Sequence, residues 1–378
     1  MDINTFIEKN KDLAFQMIRE LCAIPAPSGF EEKRAEYCRA FLESIGAKGV
    51  YIDDALNVNF PLNCEGSNEI TAICAHTDTV FPDREPLPYW EDDEKIYSPG
   101  VADDTASVVV LLLTVKFFLE NSIVPEKGIL FSCNSSEEGL GNLKGTRELF
   151  RTYEGRIKTF ITYDSNLNSI SNRCVGSHRY HVEIKTEGGH SFGAFGKKNA
   201  IACLADIVSE IYKLRVPEKD GAKTTYNVGA IEGGTSVNTI AQSASMLCEY
   251  RSDDKSCLAI MEKAFQDIFR SANEQEKVEV LVTRVGDRPC SAIDASLISA
   301  LEEKLVPIIE EEIGEKVAFK SSSTDCNIPL SLGVPALCIG TNCHGGVHTR
   351  EEWLLKSSLM PGLRISIKAA MKLAEVEI

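Results

Sequence analysis

Three apolar segments constrain the fold of this chain more than any other feature of its sequence. Each ends at or shortly before an imidazole or a carboxylate; the pairs are residues 70–75 with His76, residues 128–133 with Glu137, and residues 160–163 with Asp164. Short apolar runs with such boundaries predict buried β-strands. Because the carboxyl ends of strands in an open α/β sheet line the ligand crevice, we expect an α/β fold in which these side chains share one rim.

Two acidic pairs extend this set. Asp103-Asp104 follows a turn-forming segment at residues 98–102 and precedes a helical run at residues 106–119, so Asp103 is also expected at the rim. The pair Glu137-Glu138 lies between the second apolar segment and Gly139. A solvated acidic pair before a turn is the alternative, but the preceding strand and the following glycine favour a functional site.

Two histidines lie almost the whole chain apart and bracket these acids. His76 begins a His-x-Asp triplet with Asp78, and His348 lies in a glycine-rich loop that also contains His344. Imidazoles and carboxylates in this mixture suit two zinc-sized ions and leave one carboxylate to act as a base. A His-x-Asp triplet alone is more often a satisfied surface pair, so the metal interpretation depends on the whole set.

The order of these motifs resembles that of the dinuclear zinc peptidases and deacylases that include tripeptide aminopeptidase, carboxypeptidase G and aminoacylase. The shared motifs are His-x-Asp, Gly-x-x-Asp-Asp, Glu-Glu-Gly, a lone Asp, Gly-His-Ser and a late His-Thr-x-x-Glu. The resemblance extends from about residue 5 to about residue 375. It implies a catalytic domain with a mixed, mostly parallel sheet flanked by helices, plus an inserted α+β lid domain with an antiparallel sheet.

The resemblance also implies two divalent metal ions, with zinc expected and cobalt or manganese as alternatives. His76 and Asp164 would hold one ion. Glu138 and His348 would hold the other, and Asp103 would bridge the two. Such a pair of ions makes a water molecule available as a nucleophile near neutral pH.

Three catalytic roles follow from the same resemblance. Glu137 would take the proton of the water and return it to the leaving amine. Asp78 would accept the second N–H of His76 and fix its tautomer. His190, which follows two glycines, would stabilise the substrate oxygen as negative charge develops there. A lone histidine is more often structural, but the flanking glycines favour function.

Asn238 and Arg251 match positions that bind the substrate backbone or its terminal carboxylate in relatives. The planar fork of an arginine pairs with a carboxylate at two points. The alternative for Arg251 is an ion pair with Asp253 or Asp254. The alternative for Asn238 is a turn residue after the glycines at residues 233–234.

The middle of the chain has a different pattern from its flanks. Alternating segments at residues 181–186 and 278–283 predict half-buried strands, with two helical runs between them. We therefore expect residues 1–176 and 289–378 to form the catalytic domain and residues 177–288 to form the inserted lid. In the resembled family this lid is often also the surface of a homodimer.

The segment Ser28-Gly29-Phe30-Glu31 has the spacing of a capping box, in which the serine and glutamate side chains bond backbone N–H groups of the first helical turn. This spacing predicts that Ser28 starts a helix. The first seventy residues are accordingly expected to be scaffold.

Composition is that of an ordinary globular enzyme. A net charge of −16 argues against nucleic-acid or anionic membrane partners. The thirteen cysteines include no Cys-x-x-Cys spacing and are expected to be reduced core residues. The amino terminus lacks the features of a secretory signal, and a cytoplasmic location is expected.

The expected function is dimetal-dependent hydrolysis of an amide bond in short peptides, of the aminopeptidase, dipeptidase or tripeptidase type. Within the resembled family an aspartate at the position of Asp164 is more frequent in these enzymes. The alternative is an N-acyl amino acid deacylase or carboxypeptidase, because attack on either amide is the same chemistry. A metal-free binding protein on this scaffold would be marked by a lost ligand, and all five are present.

Overall fold

A computed structural model describes residues 1–376 and divides the chain into two compact units. The larger unit contains Met1–Cys174 and the segment from Ala292 onward, and the inserted unit is Val175–Ser291. The boundaries expected from sequence, after residues 176 and 288, lie within three residues of these points.

The described residues form α-helices in both units. In chain order they are α1 (Ile3–Cys22), α2 (Glu32–Ser44), α3 (Ala106–Glu120), α4 (Lys144–Thr152), α5 (Ala200–Ile211), α6 (Lys255–Asn273), α7 (Ala295–Ile313), α8 (Asn327–Ser331) and α9 (Leu359–Leu373). Side-chain caps begin several of them: the carboxylates of Asp2, Asp254 and Asp294 accept backbone N–H groups of the first turns of α1, α6 and α7. No helix in the described part of the chain combines the length and apolarity needed to cross a membrane.

The strands among residues 1–376 belong to four sheets. In chain order they are β1 (Tyr51–Ile52), β2 (Val58–Leu62), β3 (Ile70–His76), β4 (Trp90–Glu91), β5 (Lys95–Tyr97), β6 (Gly128–Asn134), β7 (Ile157–Tyr163), β8 (Ser169–Cys174), β9 (Gly176–Thr186), β10 (Gly189–His190), β11 (Thr224–Gly233), β12 (Thr239–Ile240), β13 (Ser243–Ser252), β14 (Val278–Arg288), β15 (Ala318–Ser322), β16 (Ala336–Ile339), β17 (His344–Gly345) and β18 (Trp353–Leu355).

The larger unit is built on a mixed sheet with strand order β1-β2-β6-β3-β7-β16-β8-β15. Its centre is parallel, because β3 pairs in parallel with both β6 and β7, and β7 pairs in parallel with β16. Every residue of β3 and β6 is buried, as expected for continuous apolar strands covered on both faces. Helix α3 packs against β3, α1 and α9. The predicted α/β fold is confirmed.

A small antiparallel sheet with the order β17-β18-β5-β4 also belongs to the larger unit. Strand β5 leads towards Asp103, and β17 leads towards His348. Since β18 pairs with both of these strands, the sheet holds two chain segments together that are more than two hundred residues apart.

The inserted unit has an antiparallel sheet with the order β11-β13-β9-β14. Alternate residues of the central strands are buried, among them Val182, Ile184 and Met246, and helices α5 and α6 pack against this sheet. A separate two-strand ribbon, β10 with β12, carries His190. The α+β insert with an antiparallel sheet is thus confirmed.

Candidate metal centre

The carboxyl ends of three parallel neighbours, β6, β3 and β7, bring the first candidate ligands together. His76 is the last residue of β3, and Asp164 directly follows β7. Glu137 and Glu138 follow β6, whose last residue, Asn134, pairs with His76. Parallel strands end at one edge of a sheet, so local strand geometry accounts for this part of the site.

His76 is fully buried and is contacted on both ring nitrogens. Its Nε2 lies 3.0 Å from Oδ1 of Asp103. Its Nδ1 lies 3.1 Å from the backbone oxygen of Asp78 and 3.4 Å from the carboxylate Oδ1 of the same residue. Burial lowers the pKa of His76, but the contacts with Asp103 and Asp78 outweigh it and hold the pKa well above its usual value.

The carboxylate of Asp78 also organises the turn that follows β6. Its Oδ1 accepts the backbone N–H of Glu137 at 3.0 Å, and its Oδ2 accepts that of Glu138 at 2.9 Å. Ser28 donates its hydroxyl to Oδ2 at 2.5 Å. Asp78 therefore links the end of β3, where His76 lies, to the Glu137-Glu138 turn, a connection that its spacing from His76 did not reveal.

The capping-box prediction for Ser28 and Glu31 is wrong. Helix α2 begins only after Glu31 and has no side-chain cap. The hydroxyl of Ser28 instead bonds Asp78 and the backbone oxygen of Glu138, the latter at 3.1 Å. The carboxylate of Glu31 accepts the N–H and hydroxyl of Ser136 at 3.0 and 3.1 Å. Buried polar groups must find partners, and here the partners come from the loop after β6.

Asp103 has an imidazole at each carboxylate oxygen. Its Oδ1 faces His76, and its Oδ2 lies 3.1 Å from Nε2 of His348. The same nitrogen of His348 lies 3.1 Å from Oε1 of Glu138. Hydrogen bonds to Asp103 and Glu138 raise the pKa of His348 to about 11. The other histidine of this loop, His344, bonds the side chain of Asn342 instead, at 2.7 Å.

Glu352, which has no expected role from the sequence, holds the loop that carries Asp103. Its Oε2 accepts the N–H of Gly100 at 2.8 Å. Its Oε1 accepts the N–H groups of Ala102 and Asp103 at 2.9 and 3.0 Å. Gly100 has φ 75°, and a Cβ there would lie 2.5 Å from a methyl of Thr79, so only glycine fits. Glu352 is the glutamate of the late His-Thr-x-x-Glu motif, which was the available signal.

Two overlapping groups of three side chains could each hold a metal ion. Within each group the candidate ligand atoms lie within 4.8 Å of one another; the groups are His76 with Glu137 and Asp164, and His76 with Asp103 and Glu138. Glu137 is the expected base, and the structure brings it as close to His76 and Asp164 as a ligand would be.

The electrostatics of the cluster fit cations. Burial, with the charges of Asp103 and Glu137, raises the pKa of Asp164 well above its usual value. Burial and the charge of Asp103 raise the pKa of Glu138 to about 7. The pKa of a carboxyl group rises in this way when several carboxylates lie close together with too little positive charge near them. Imidazole nitrogen and carboxylate oxygen are donors for zinc and related divalent ions, so the residues fit such a group.

His190 lies in the inserted unit, exposed on the ribbon of β10 and β12. Its Nδ1 accepts the backbone N–H groups of Phe192 and Gly193, both at 3.3 Å. A neutral imidazole that accepts at Nδ1 carries its proton on Nε2 and can donate from there. Asn238 lies beside it, because its backbone oxygen accepts the N–H of Ser191 at 2.9 Å.

Arg251, also in the inserted unit, forms an ion pair, but not with the residues named in the sequence alternative. Its Nε and Nη2 contact the two oxygens of Glu249 at 2.7 and 3.0 Å, and Arg179 contacts the same carboxylate at 3.2 Å. Glu249 lies two residues before Arg251 within β13 and therefore shares its face of the strand, whereas Asp253 and Asp254 lie beyond the end of β13 at Ser252.

Comparison with known proteins identifies the family of this chain. The model of peptidase family M20/M25/M40 matches residues 72–372. The chain belongs to this family. It is therefore a hydrolase of the M20 peptidases, a family whose members include tripeptidases, dipeptidases and desuccinylases.

Individual relatives span nearly the whole chain. Succinyl-diaminopimelate desuccinylase of Corynebacterium glutamicum is 22% identical over 343 residues, covering 89% of this chain and 90% of the relative. A tripeptidase from Staphylococcus aureus superposes with a TM-score of 0.76 at 22% identity, over 97% of this chain and 99% of the other. The YXEP protein of Bacillus subtilis, a dinuclear metal binding peptidase of the M20 family, has a TM-score of 0.67 at 14% identity, over 98% and 100%. At these identities the solved structures establish the fold alone.

Proposed function

We propose that this M20 hydrolase uses two divalent ions to hydrolyse an amide bond in short peptides. The observation that carries the proposal is the carboxylate of Asp103, which has Nε2 of His76 at 3.0 Å on one oxygen and Nε2 of His348 at 3.1 Å on the other. A carboxylate that held two ions would need a further ligand for each ion next to each of its oxygens. The imidazoles of His76 and His348 would supply these two ligands.

The remaining ligands complete two sites. His76 and Asp164 would hold one ion, and Glu138 and His348 would hold the other. By family resemblance the expected ion is zinc, with cobalt and manganese as alternatives; imidazole nitrogen and carboxylate oxygen are donors for all three. The relative described as dinuclear supports two ions rather than one.

Protein groups then carry the proton and the charge. When bound, the two ions supply an activated water and polarise the substrate carbonyl. Glu137, whose backbone N–H is held at 3.0 Å by Asp78, takes the proton from that water and returns it to the leaving amine. His190 donates Nε2–H to the substrate oxygen as charge develops on it. Arg251 and Asn238 bind the substrate carboxylate and backbone.

Peptides are the preferred substrates, and N-acyl amino acids are the alternative. The tripeptidase and the desuccinylase among the relatives represent these two classes at the same identity, 22%. The aspartate at position 164 favours the peptidase by family resemblance. Both classes present the same amide to the same ions, so only the groups around the site distinguish them.

Metal analysis combined with a substrate screen tests this proposal. We expect two ions per chain after reconstitution with zinc, cobalt or manganese, and loss of hydrolysis in chelator. Asp103→Ala is expected to weaken both sites, and Asp164→Ala only one, whereas the exposed Asp12→Ala retains two ions. Fewer than two ions in the wild type under saturating conditions contradicts the proposal. Hydrolysis of N-acetyl amino acids but not of di- or tripeptides would identify the enzyme as a deacylase.

A further inference from the structure

Exposed apolar side chains accompany the loops of the metal centre. Four of them, which we call the apolar rim, each lie within two residues of a candidate ligand or of a residue that hydrogen-bonds one. They are Phe30, Val80, Leu140 and Val347, with exposed fractions of 46, 36, 56 and 39%. Single exposed apolar residues are ordinary on protein surfaces, but a contiguous set beside a site marks a binding surface.

Hydrogen bonds hold the first three rim segments side by side. The N–H of Thr79 donates to the backbone oxygen of Ala26 at 2.8 Å. The hydroxyl of Ser28, which donates to Asp78, also lies 3.1 Å from the backbone oxygen of Glu138. The chain segments that carry Phe30, Val80 and Leu140 are therefore neighbours, although they come from three separate parts of the sequence.

Two arginines stiffen the rim. The guanidinium of Arg84 lies over the ring of Phe30, 3.6 Å from its centre. Arg350 forms an ion pair with Asp83 at 2.6 Å and lies 5.0 Å from the ring centre of Phe81. The ion pair connects the loop after Val80 to the loop after Val347. These contacts favour the same arrangement of the two loops without substrate, which reduces the ordering cost of binding.

The chemistry of the rim favours an apolar partner over a charged one. None of its four side chains can donate or accept a hydrogen bond, so a polar substrate side chain would lose water here without compensation. Carboxylates dominate the neighbouring metal centre and the whole chain has a net charge of −16, which disfavours an acidic side chain. The competing feature is Arg84, which could attract an acidic side chain.

We infer that the apolar rim binds an apolar side chain of the substrate, next to the amide that is cut. The inference rests on the proposed function and names its substrate class: short peptides that contain a bulky apolar residue such as leucine or phenylalanine. Two substrates that differ by one methylene group in an apolar pocket differ in kcat/KM by roughly 10- to 200-fold. A leucine or phenylalanine peptide is therefore expected to exceed its alanine counterpart in kcat/KM by at least about tenfold.

The test uses the metal-loaded protein and dipeptides X-Gly and Gly-X, with X as Leu, Phe, Ala, Asp or Lys. In Phe30→Ser and Leu140→Ser, the ratio of kcat/KM for leucine or phenylalanine over alanine is expected to fall by about tenfold, mainly through KM. Phe30→Leu and Leu140→Met keep an apolar side chain, and their ratio should stay close to that of the wild type. The matched controls, Phe319→Ser on the edge strand β15 and Leu332→Ser before β16, change exposed residues on other segments of the larger unit and should leave the ratio unchanged.

Several outcomes overturn the inference. A wild-type enzyme that hydrolyses alanine or aspartate peptides as well as leucine peptides has no apolar specificity, and preference for aspartate would assign the surface to Arg84. Equal loss on all peptides in Phe30→Ser and Leu140→Ser would show that the rim packs against protein rather than substrate. Absence of hydrolysis for every peptide, with two ions bound, would overturn the proposed function and the inference with it.

Discussion

The two units differ in whether their candidate residues contact one another. In the larger unit, Asp103 contacts both His76 and His348, and His348 also contacts Glu138. In the inserted unit, His190 is exposed and Arg251 is engaged by Glu249. Metal ligands must converge on shared ions, so the members of a correct set contact one another within one unit. Residues that meet only the substrate have no such internal test, and their roles depend on kinetic experiments.

Glu137 offers the sharpest test within the larger unit, because its carboxylate lies as close to His76 and Asp164 as a ligand would. If it is the base, Glu137→Ala retains both ions while turnover falls by roughly 10²- to 10⁴-fold, the usual contribution of general acid–base catalysis. Glu138→Ala should lose metal instead. Elemental analysis and turnover measured on the same samples separate the two roles.

The exposed Glu351→Ala is the control for this pair, because it removes a carboxylate near His348 without changing a candidate ligand. It should keep both ions and full turnover. Exchange of the two phenotypes, with metal lost in Glu137→Ala and kept in Glu138→Ala, would mean that base and ligand have been assigned in reverse.

His190 tests whether the inserted unit takes part in the chemistry. Removal of an oxyanion donor typically costs about 10²- to 10³-fold in turnover, and His190→Ala should show this loss on every peptide, because the negative charge appears only in the transition state. Steady-state kcat is the measurement. His181→Ala, a histidine change on strand β9 of the same unit, should have no effect; a loss confined to some substrates would assign His190 to recognition instead.

Arg251 gives the smallest expected effect and decides between recognition and structure. If it binds the terminal carboxylate, Arg251→Ala should raise KM by about tenfold for peptides with a free carboxyl terminus, with little change for amidated peptides. Comparison of both peptides in wild type and mutant isolates the interaction. Equal damage on both peptides, reproduced by Glu249→Gln, would show that the ion pair with Glu249 is the whole role of Arg251.

The sequence by itself determined the parts of the protein that depend on local pattern. Apolar runs that end at His76 and Asp164 predicted buried strands, because a continuous apolar run is typical of a strand covered on both faces. They also predicted where the two side chains meet, because parallel strands end at the same edge of a sheet. Alternation in the insert predicted an antiparallel sheet for the same reason. The motif order predicted the family, since each motif is short and contiguous.

Only the tertiary structure decided which distant partner each polar group takes. Ser28 and Glu31 have the spacing of a helix cap, yet they bond Asp78 and Ser136, the latter 105 residues away. Glu352 bonds the N–H groups before and at Asp103, about 250 residues away. A buried donor or acceptor needs a partner wherever the fold brings one within reach, and spacing along the chain cannot distinguish a local partner from a distant one.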